Sequence, residues 1–213
     1  MTEPVLARTV MVLGAALVLV LAPVARAQDR MPPIPMRDMT EAQRRVAAAF
    51  EAERGYPIRG PWVPLLRSPE VLRLMIDMRS HVRDRSALSP RLTELAILIA
   101  AREWTQQYEW SAHAPAAERA GLAPAIIAAV ADGRRPGQMA EDEAILYDLC
   151  VELHRTKSVS DATYERALRA FGQEGIVEAV TIEGYYALLA MVMNTARTPL
   201  PEDRTPALAP FPR

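Results

Sequence analysis

The sequence predicts an all-α protein, because hydrophobic residues recur at helical spacing along almost the whole body of the chain. Helix-start signals support this: Gln43 follows Thr40 at capping-box spacing, and Ser68 and Ser89 are each followed directly by proline. The sequence has no convincing run of alternating β-branched residues and no glycine-rich nucleotide-binding loop. We therefore predict one helical domain.

Capping residues, prolines and glycines set the expected helix bounds, with a proline- and glycine-rich loop at 55–64. The charge-rich end of the second helix, 79–85, is predicted to be solvated, with His81 and His154 at the surface. The predicted helices are Thr40–Arg54, Ser68–Arg85, Ser89–Glu103, Thr105–Gly121, Pro124–Asp132, Ala140–Arg155, Ser160–Phe171 and Gln173–Arg197.

Residues 1–27 are typical of a secretory signal peptide. An uncharged run at 9–25, rich in Val, Leu and Ala, ends in the small–x–small sequence Ala25-Arg26-Ala27. We expect cleavage after Ala27, a periplasmic or secreted protein, and no stable membrane insertion after cleavage. The run is at the lower edge of the length that spans a bilayer, so a retained N-terminal anchor is the alternative.

Three segments follow the signal peptide. We predict an N-terminal arm and helix at 28–61, the main domain at 62–201 and a proline-rich tail at 202–213. Prolines near both ends favour extended arms, which either pack on the body or a neighbouring subunit or are disordered.

Composition narrows the range of partners. The formal net charge is −1 and no basic run is present, which argues against binding to nucleic acid or to an anionic membrane. The single cysteine, Cys150, lies in an apolar helical run and is interpreted as a buried small side chain; a reactive thiol or an intermolecular bridge is the alternative. The two most apolar helices, Leu92–Ala101 and Val177–Asn194, lack a solvated face, which predicts a homo-oligomer.

The candidate catalytic residues are Glu94, Glu109 and His113. Glu109 and His113 are four residues apart and share a helix face, and the short connection to the preceding helix brings Glu94 near that face. A carboxylate in an apolar wall can hold a proton near neutral pH, and histidine titrates there without help. This group could shuttle protons or bind a metal; an ordinary solvated Glu–His pair is the plain alternative.

Three segments around these residues form a longer pattern: Arg91-x-x-Glu94-Leu-Ala-Ile-Leu, Tyr108-Glu109-Trp110-x-x-His113 and Ala120-Gly121-Leu122. Over about Trp62 to Pro201 this pattern resembles the carboxymuconolactone decarboxylase / alkylhydroperoxidase D-like family. The resemblance implies an alkylhydroperoxidase D-like helical bundle that assembles as a trimer or hexamer.

The chain departs from the peroxidase branch of that family at two positions. The pattern implied by the resemblance to that branch is Glu, x11, Cys, x2, Cys, x3, His. This chain has Glu94, Gln106, Glu109 and His113 at the same spacing. A thiol peroxidase needs a thiolate nucleophile and a resolving thiol, so peroxidase activity is the disfavoured alternative.

The decarboxylase branch implies acid–base chemistry without a metal or organic cofactor. By this resemblance His113 is the proton donor or oxyanion partner, Glu94 orients or protonates it, and Glu109 is a second acid or base. We therefore expect an exported enzyme acting on a small carboxylated or carbonyl substrate, with a non-catalytic ligand-binding oligomer as the alternative. Candidate cationic anchors are Arg91, Arg102 and Arg119, and candidate substrate-binding residues are Trp104, Tyr108, Trp110, Tyr186 and Asn194.

Overall fold

The computed structural model describes residues 28–210, and these form an all-α fold. The predicted signal peptide at 1–27 lies outside the described residues, and the predicted domain boundaries stay predictions. A 3-10 turn at Met36–Asp38 precedes the first helix. The α-helices are α1 Glu41–Arg54, α2 Trp62–Leu65, α3 Pro69–Asp84, α4 Pro90–Glu103, α5 Gln107–Arg119, α6 Pro124–Ala131, α7 Glu141–Thr156 and α8 Asp161–Ala196.

Local capping chemistry sets several helix starts. The Gln43 backbone N–H donates to Thr40 Oγ1 at 3.2 Å, and the Thr40 N–H donates to Gln43 Oε1 at 2.8 Å, which confirms the predicted capping box. The predicted cap at Thr105 is wrong. Thr105 has φ of 47° and forms the turn, and Gln106 caps α5 by accepting from the Tyr108 N–H at 2.7 Å.

Helix α4 is the centre of the fold. Every residue of its segment 92–102 is buried, and it packs against α5, α6, α7 and α8. Its apolar surface is therefore covered within the single chain, so an oligomer is not needed to bury it. Because α4 is central, the position of Glu94 is fixed by core packing.

Helix α8 joins the two helices that were predicted at Ser160–Phe171 and Gln173–Arg197, with Gly172 between them. This glycine has φ of 67° inside an otherwise helical run, which explains the break expected between Phe171 and Gln173. Within residues 28–210, α8 alone has the length and hydropathy of a membrane-spanning helix, and 56% of its most apolar window is buried in the fold, as in core helices. Its exposed large hydrophobic side chains are Tyr164, Leu168, Val177, Val180 and Met191.

Between α7 and α8 lies a buried polar pair. His154 Nε2 is 2.7 Å from Glu183 Oε2, and these side chains are 15% and 3% exposed. The prediction of a surface His154 is therefore wrong, whereas His81 is 43% exposed. Cys150 is buried, as predicted, and burial beside Glu183 raises the pKa of its thiol well above the ordinary value.

Candidate active site

Two helices bring Glu94 and His113 together. Glu94 lies one turn inside α4, His113 lies two turns inside α5, and the tight turn at Thr105 folds the helices against each other. His113 Nδ1 is 2.8 Å from Glu94 Oε2. An ionised carboxylate only accepts hydrogen bonds, so Nδ1–H donates and Nε2 carries the lone pair.

Arg83 completes the support of Glu94 from α3, its Nη2 lying 2.6 Å from Glu94 Oε1. Burial alone would raise the pKa of Glu94, but the hydrogen bond from His113 and the ion pair with Arg83 outweigh it and lower that pKa. Glu94 is therefore ionised at neutral pH. The segment 79–85 was predicted to be solvated, and at Arg83 that prediction is wrong, because its side chain is only 21% exposed.

His113 is held in its neutral form. Burial lowers the pKa of its imidazole, Glu94 opposes this in part, and the positive charges of Arg83 and Arg79 lower it further, with a net decrease. The edge of the Tyr186 ring contacts the imidazole, with the centroids 5.0 Å apart and the planes at 83°. The result is an oriented, uncharged imidazole whose Nε2 can accept a proton.

Glu109 is a buried acid without a partner. It is 3% exposed, and neither carboxyl oxygen has a hydrogen-bond partner among residues 28–210. Burial raises the pKa of this carboxyl well above its ordinary value, which favours the protonated form of Glu109. An unpartnered neutral acid of this kind can deliver a proton.

Glu109 and His113 face one cavity of about 410 Å³. The same cavity exposes Tyr108, Tyr185 and Tyr186, and burial raises the pKa of Tyr185 and Tyr186, so both phenols stay protonated at neutral pH. Cationic side chains are concentrated around the same space: Arg59, Arg79, Arg83 and Arg204. The cavity thus combines a base, an acid and several fixed positive charges.

Tyr108 reaches the cavity because Gly60 leaves room for it. A Cβ on Gly60 would lie 2.6–2.8 Å from the ring and hydroxyl atoms of Tyr108, and φ of 58° at Gly60 is itself unfavourable for other residues. This close approach lies within the segment 55–64 that was predicted to be a loop; from Trp62 that prediction is wrong, because the short helix α2 begins there and extends to Leu65.

The predicted substrate-binding residues divide into two groups. Tyr108 and Tyr186 line the cavity, whereas Trp104, Trp110 and Asn194 do not. Asn194 Oδ1 accepts from Gln106 Nε2 at 2.8 Å, and Asn194 Nδ2 donates to the Trp104 carbonyl at 3.0 Å. Asn194 therefore ties the α4–α5 turn to α8, and Trp110 is buried on the other side of α5 facing α6.

The predicted cationic anchors also lie elsewhere. Arg91 pairs with Asp142 at 2.8 Å and with Glu143, and Arg102 Nη1 donates to the Ala209 carbonyl at 2.6 Å. Neither these two nor Arg119 lines the cavity. Two of the four arginines that do so, Arg79 and Arg83, come from α3, and their helical spacing of four was the signal that could have placed them on one face.

The segment with this Glu–His geometry also matches a known family. Residues 69–140, which include α3, α4 and α5, match the model of the carboxymuconolactone decarboxylase family. This match confirms the resemblance to that family that the sequence pattern predicts. No curated protein has significant sequence similarity to the chain.

Two solved structures show the same fold. One is the crystal structure of an alkylhydroperoxidase AhpD core, an uncharacterized peroxidase-related protein from Ralstonia eutropha JMP134. Its TM-score is 0.65 at 15% identity, and the match covers 82% of this chain and 93% of that one. The other is an uncharacterized peroxidase-related protein from Silicibacter sp. TM1040, with a TM-score of 0.67 at 14% identity, covering 85% and 97%. At this identity the likeness extends to the fold, which is that of the predicted bundle.

In the peroxidase branch of this family the resemblance implies a cysteine at each of two positions, and this chain has Gln106 and Glu109 there. Gln106 caps α5 and bonds to Asn194, and Glu109 is the buried acid. Cys150 lies on α7, buried beside Glu183 of α8, and its raised thiol pKa opposes thiolate formation. None of these residues supplies the nucleophile that thiol peroxidase chemistry requires.

The metal interpretation gains no support from the described residues. Among residues 28–210, no cluster of three or more His, Cys, Asp or Glu side chains is arranged to hold a metal ion. Glu94 is instead occupied by His113 and Arg83, which makes it the support of the imidazole.

Proposed function

We propose that this protein is an enzyme that performs acid–base chemistry, decarboxylation or enol and lactone proton transfer, on a small carboxylated substrate without a cofactor. One observation carries the proposal: a neutral His113, oriented by ionised Glu94, faces the same cavity as the unpartnered neutral acid Glu109. Their surroundings shift the pKa values of the two groups in opposite directions, so that one serves as a base and the other as an acid. Proton transfer at carbon needs such a pair.

Decarboxylation follows from these groups in two steps. The bond between the substrate carbon and its carboxylate breaks, carbon dioxide leaves, and the electron pair moves into the adjacent unsaturated carbonyl system as a dienolate. Glu109 and the cavity arginines stabilise the developing oxyanion, and Glu109 delivers its proton to carbon. A proton from solvent then restores Glu109, so each turnover consumes one proton and releases one carbon dioxide.

Proton transfer without loss of carbon dioxide uses the same residues. His113 Nε2 removes a proton from the carbon next to the carbonyl while Glu109 donates to the oxygen, and the return steps give the isomer. Glu94 stabilises the imidazolium that forms, because its ionised carboxylate accepts from Nδ1 at 2.8 Å.

The test is a direct assay of both reactions on purified, metal-free protein. Carboxymuconolactone and related small carboxylated lactones are incubated with the protein, carbon dioxide release is measured, and exchange of carbon-bound hydrogen in deuterium oxide is followed by NMR. We expect turnover of at least one such compound without added metal. If neither reaction occurs with any of these compounds, the proposed function is wrong.

Arg79 is the proposed anchor for the substrate carboxylate. It lines the cavity, and its nearest acidic group is Asp84 at 3.9 Å, which leaves the guanidinium available. Replacing Arg79 with alanine is expected to raise KM about 10- to 100-fold and to change kcat less, since a hydrogen bond to a charged group is worth about 1.5–3 kcal/mol.

Arg73 provides the matched control for this change. It lies on the same helix α3, is 55% exposed, pairs with Asp77 at 2.9 Å and does not line the cavity. Arg73→Ala should leave KM unchanged. An equal rise of KM in both variants would mean that the effect is general electrostatics and that Arg79 does not anchor the substrate.

We propose that the protein acts outside the cytoplasm after removal of residues 1–27. The uncharged run at 9–25 and the cleavage sequence at 25–27 support this. When the full chain is expressed in a Gram-negative host, native mass spectrometry of the periplasmic fraction should give a subunit that begins at Gln28. Ala27→Arg should block processing, and an unprocessed wild-type chain in the membrane fraction would instead support the anchor.

We also propose that the protein is a homo-oligomer. The native mass spectrum of the same preparation gives the number of subunits. Apolar side chains exposed on two adjacent helices support this: Val71, Leu74 and Met78 on α3, and Val177, Val180 and Met191 on α8. Exposed apolar surface of this kind marks an interaction site. A monomeric mass at micromolar concentration would contradict the proposal.

A further inference from the structure

The segment after α8 returns across the body of the protein. The chain turns at Arg197, which has φ of 56°, and the Thr198 N–H donates to the Met193 carbonyl at 3.0 Å. It then reaches the first residue of α5, Gln107, about ten residues later. We call residues 199–209 the strap.

Gln107 holds the far end of the strap with both ends of its amide. Its Oε1 accepts from the backbone N–H of Ala207 at 3.0 Å and of Leu208 at 3.1 Å. Its Nε2 donates to the Leu208 carbonyl at 2.6 Å. The side-chain amide of Gln107 therefore bonds to both backbone N–H groups and to the carbonyl of one segment, as the backbone of a neighbouring strand would.

An apolar contact and a second side chain reinforce this anchor. Leu208 is 4% exposed and packs against the hydrophobic core, although residues 202–207 before it are exposed. Arg102 Nη1 donates to the Ala209 carbonyl at 2.6 Å. The strap is therefore fixed at each end and solvent-facing between.

The middle of the strap lies at the cavity. Pro201, Asp203 and Arg204 line the same space as His113 and Glu109, and the Arg204 N–H closes a turn on the Pro201 carbonyl at 3.0 Å. These residues lie outside the segment 69–140 that matches the family. Part of the cavity wall is thus supplied by this chain's own tail.

We propose that the strap is part of the ligand site, and that Gln107 is the positioning residue that keeps the strap at the cavity of His113. In this proposal Arg204, whose exposed guanidinium is 3.6 Å from Asp203, turns to a ligand carboxylate when one is bound. The nature of the ligand rests on the proposed function. The position of the strap does not, and it can be tested without any turnover.

The three histidines of the chain provide that test. Diethyl pyrocarbonate modifies neutral imidazoles that it can reach, and peptide mass mapping separates the sites. His113 reports access through the cavity, His81 is 43% exposed and reports reagent activity, and His154, only 15% exposed and paired with Glu183, reports unfolding. The variants are Gln107→Ala and Leu208→Ala, with Gln173→Ala on the exposed face of α8 as the control.

Loss of the Gln107 amide removes three hydrogen bonds, so we expect the modification rate of His113 to rise about tenfold or more in Gln107→Ala. Leu208→Ala should raise it in the same direction, while Gln173→Ala, the His81 rate and the protection of His154 should not change. An unchanged His113 rate in both strap variants, with His154 still protected, would overturn the proposal. If one variant exposes His154 and so unfolds, the other decides.

Kinetics then separate this proposal from the proposed function. With carboxymuconolactone as the substrate, Arg204→Ala and Gln107→Ala should raise KM about tenfold and leave kcat within about twofold, because neither residue exchanges protons with the substrate. Equal loss of kcat would overturn the positioning role. If wild-type protein shows no turnover, the proposed function fails, and the labelling of His113 still decides whether the strap covers the cavity.

Discussion

Replacing His113 with alanine is expected to lower kcat in the acid–base assay by about 100- to 10,000-fold, which is the usual contribution of a positioned general acid or base. The protein should stay folded, because the buried Glu94 carboxylate keeps its ion pair with Arg83 at 2.6 Å. Circular dichroism and the melting temperature check the fold, and carbon dioxide release or hydrogen exchange checks the activity. Turnover like that of the wild type in this variant would remove His113 from the mechanism.

His81 offers a closely matched control. It also contacts a glutamate across helices, with Nε2 2.5 Å from Glu178 Oε1, but it does not line the cavity. His81→Ala should lose a similar interaction without loss of activity. A comparable fall of kcat in this variant would mean that the assay reports stability.

The His113 mechanism also has a definite pH dependence. Burial and the neighbouring arginines lower the pKa of the imidazole, so its neutral form persists to a lower pH than in a free histidine. Proton abstraction should therefore weaken only as pH falls through this lowered pKa. Activity that falls as pH drops through the ordinary histidine range would show that Glu94 raises the pKa more than burial lowers it.

Replacing Glu109 with glutamine is the second large effect that we expect. Gln has nearly the same shape but no acidic proton, so kcat should fall by about 100-fold or more if Glu109 is the proton donor. The wild-type activity should fall as pH rises through the raised pKa of this carboxyl, since only the protonated form donates. The measurement is kcat against pH for both proteins, and an unchanged profile in Glu109→Gln would exclude the acid role.

Stability gives an independent reading of the same group. The folded protein keeps the Glu109 proton while the unfolded chain loses it near pH 4.5, the ordinary carboxyl value. The free energy of unfolding should therefore fall by about 1.4 kcal/mol per pH unit between pH 4.5 and the raised pKa, and it should be constant above it. Below pH 4.5 both states are protonated, so the full stability is present.

Subtraction isolates this slope from the other titrating groups. The unfolding free energy of wild type minus that of Glu109→Gln should decrease with rising pH over the window, while wild type minus Glu118→Gln should not. Glu118 lies on the same helix α5 and is exposed, so it is an appropriate control. A flat difference for Glu109 would mean that the buried carboxyl is ionised.

Much of the secondary structure was predictable from local sequence. The capping box at Thr40 and the start of α4 at Ser89 depend on residues within one helical turn, and the stop at Gly172 depends on the backbone freedom of a single residue. The turn before α5 was predicted less well, because Thr105 and Gln106 can both cap a helix and only the fold puts Thr105 at positive φ.

The candidate site was predictable along one chain segment and unpredictable across segments. Residues 94–113 place Glu94, Glu109 and His113 near one another through helix periodicity and a short turn. Trp104 and Trp110 share that segment but do not line the cavity. Trp104 lies in the turn after α4, and Trp110 lies on a different face of α5, whose rotation is set by core packing. The aromatic character of a residue in this segment therefore did not predict whether its side chain lines the cavity.

What the sequence by itself determined is the all-α class, the family of residues 69–140 and the pairing of a glutamate with a histidine. The tertiary structure alone decided the protonation states and the charge around them. Arg83 reaches Glu94 from α3, and Glu109 is buried without a hydrogen-bond partner among residues 28–210. Strap residues line the cavity, and Gln107 binds the strap from about a hundred residues away. The physical reason is that burial and long-range contacts set a pKa and close a cavity, and neither is encoded in the spacing of neighbouring residues.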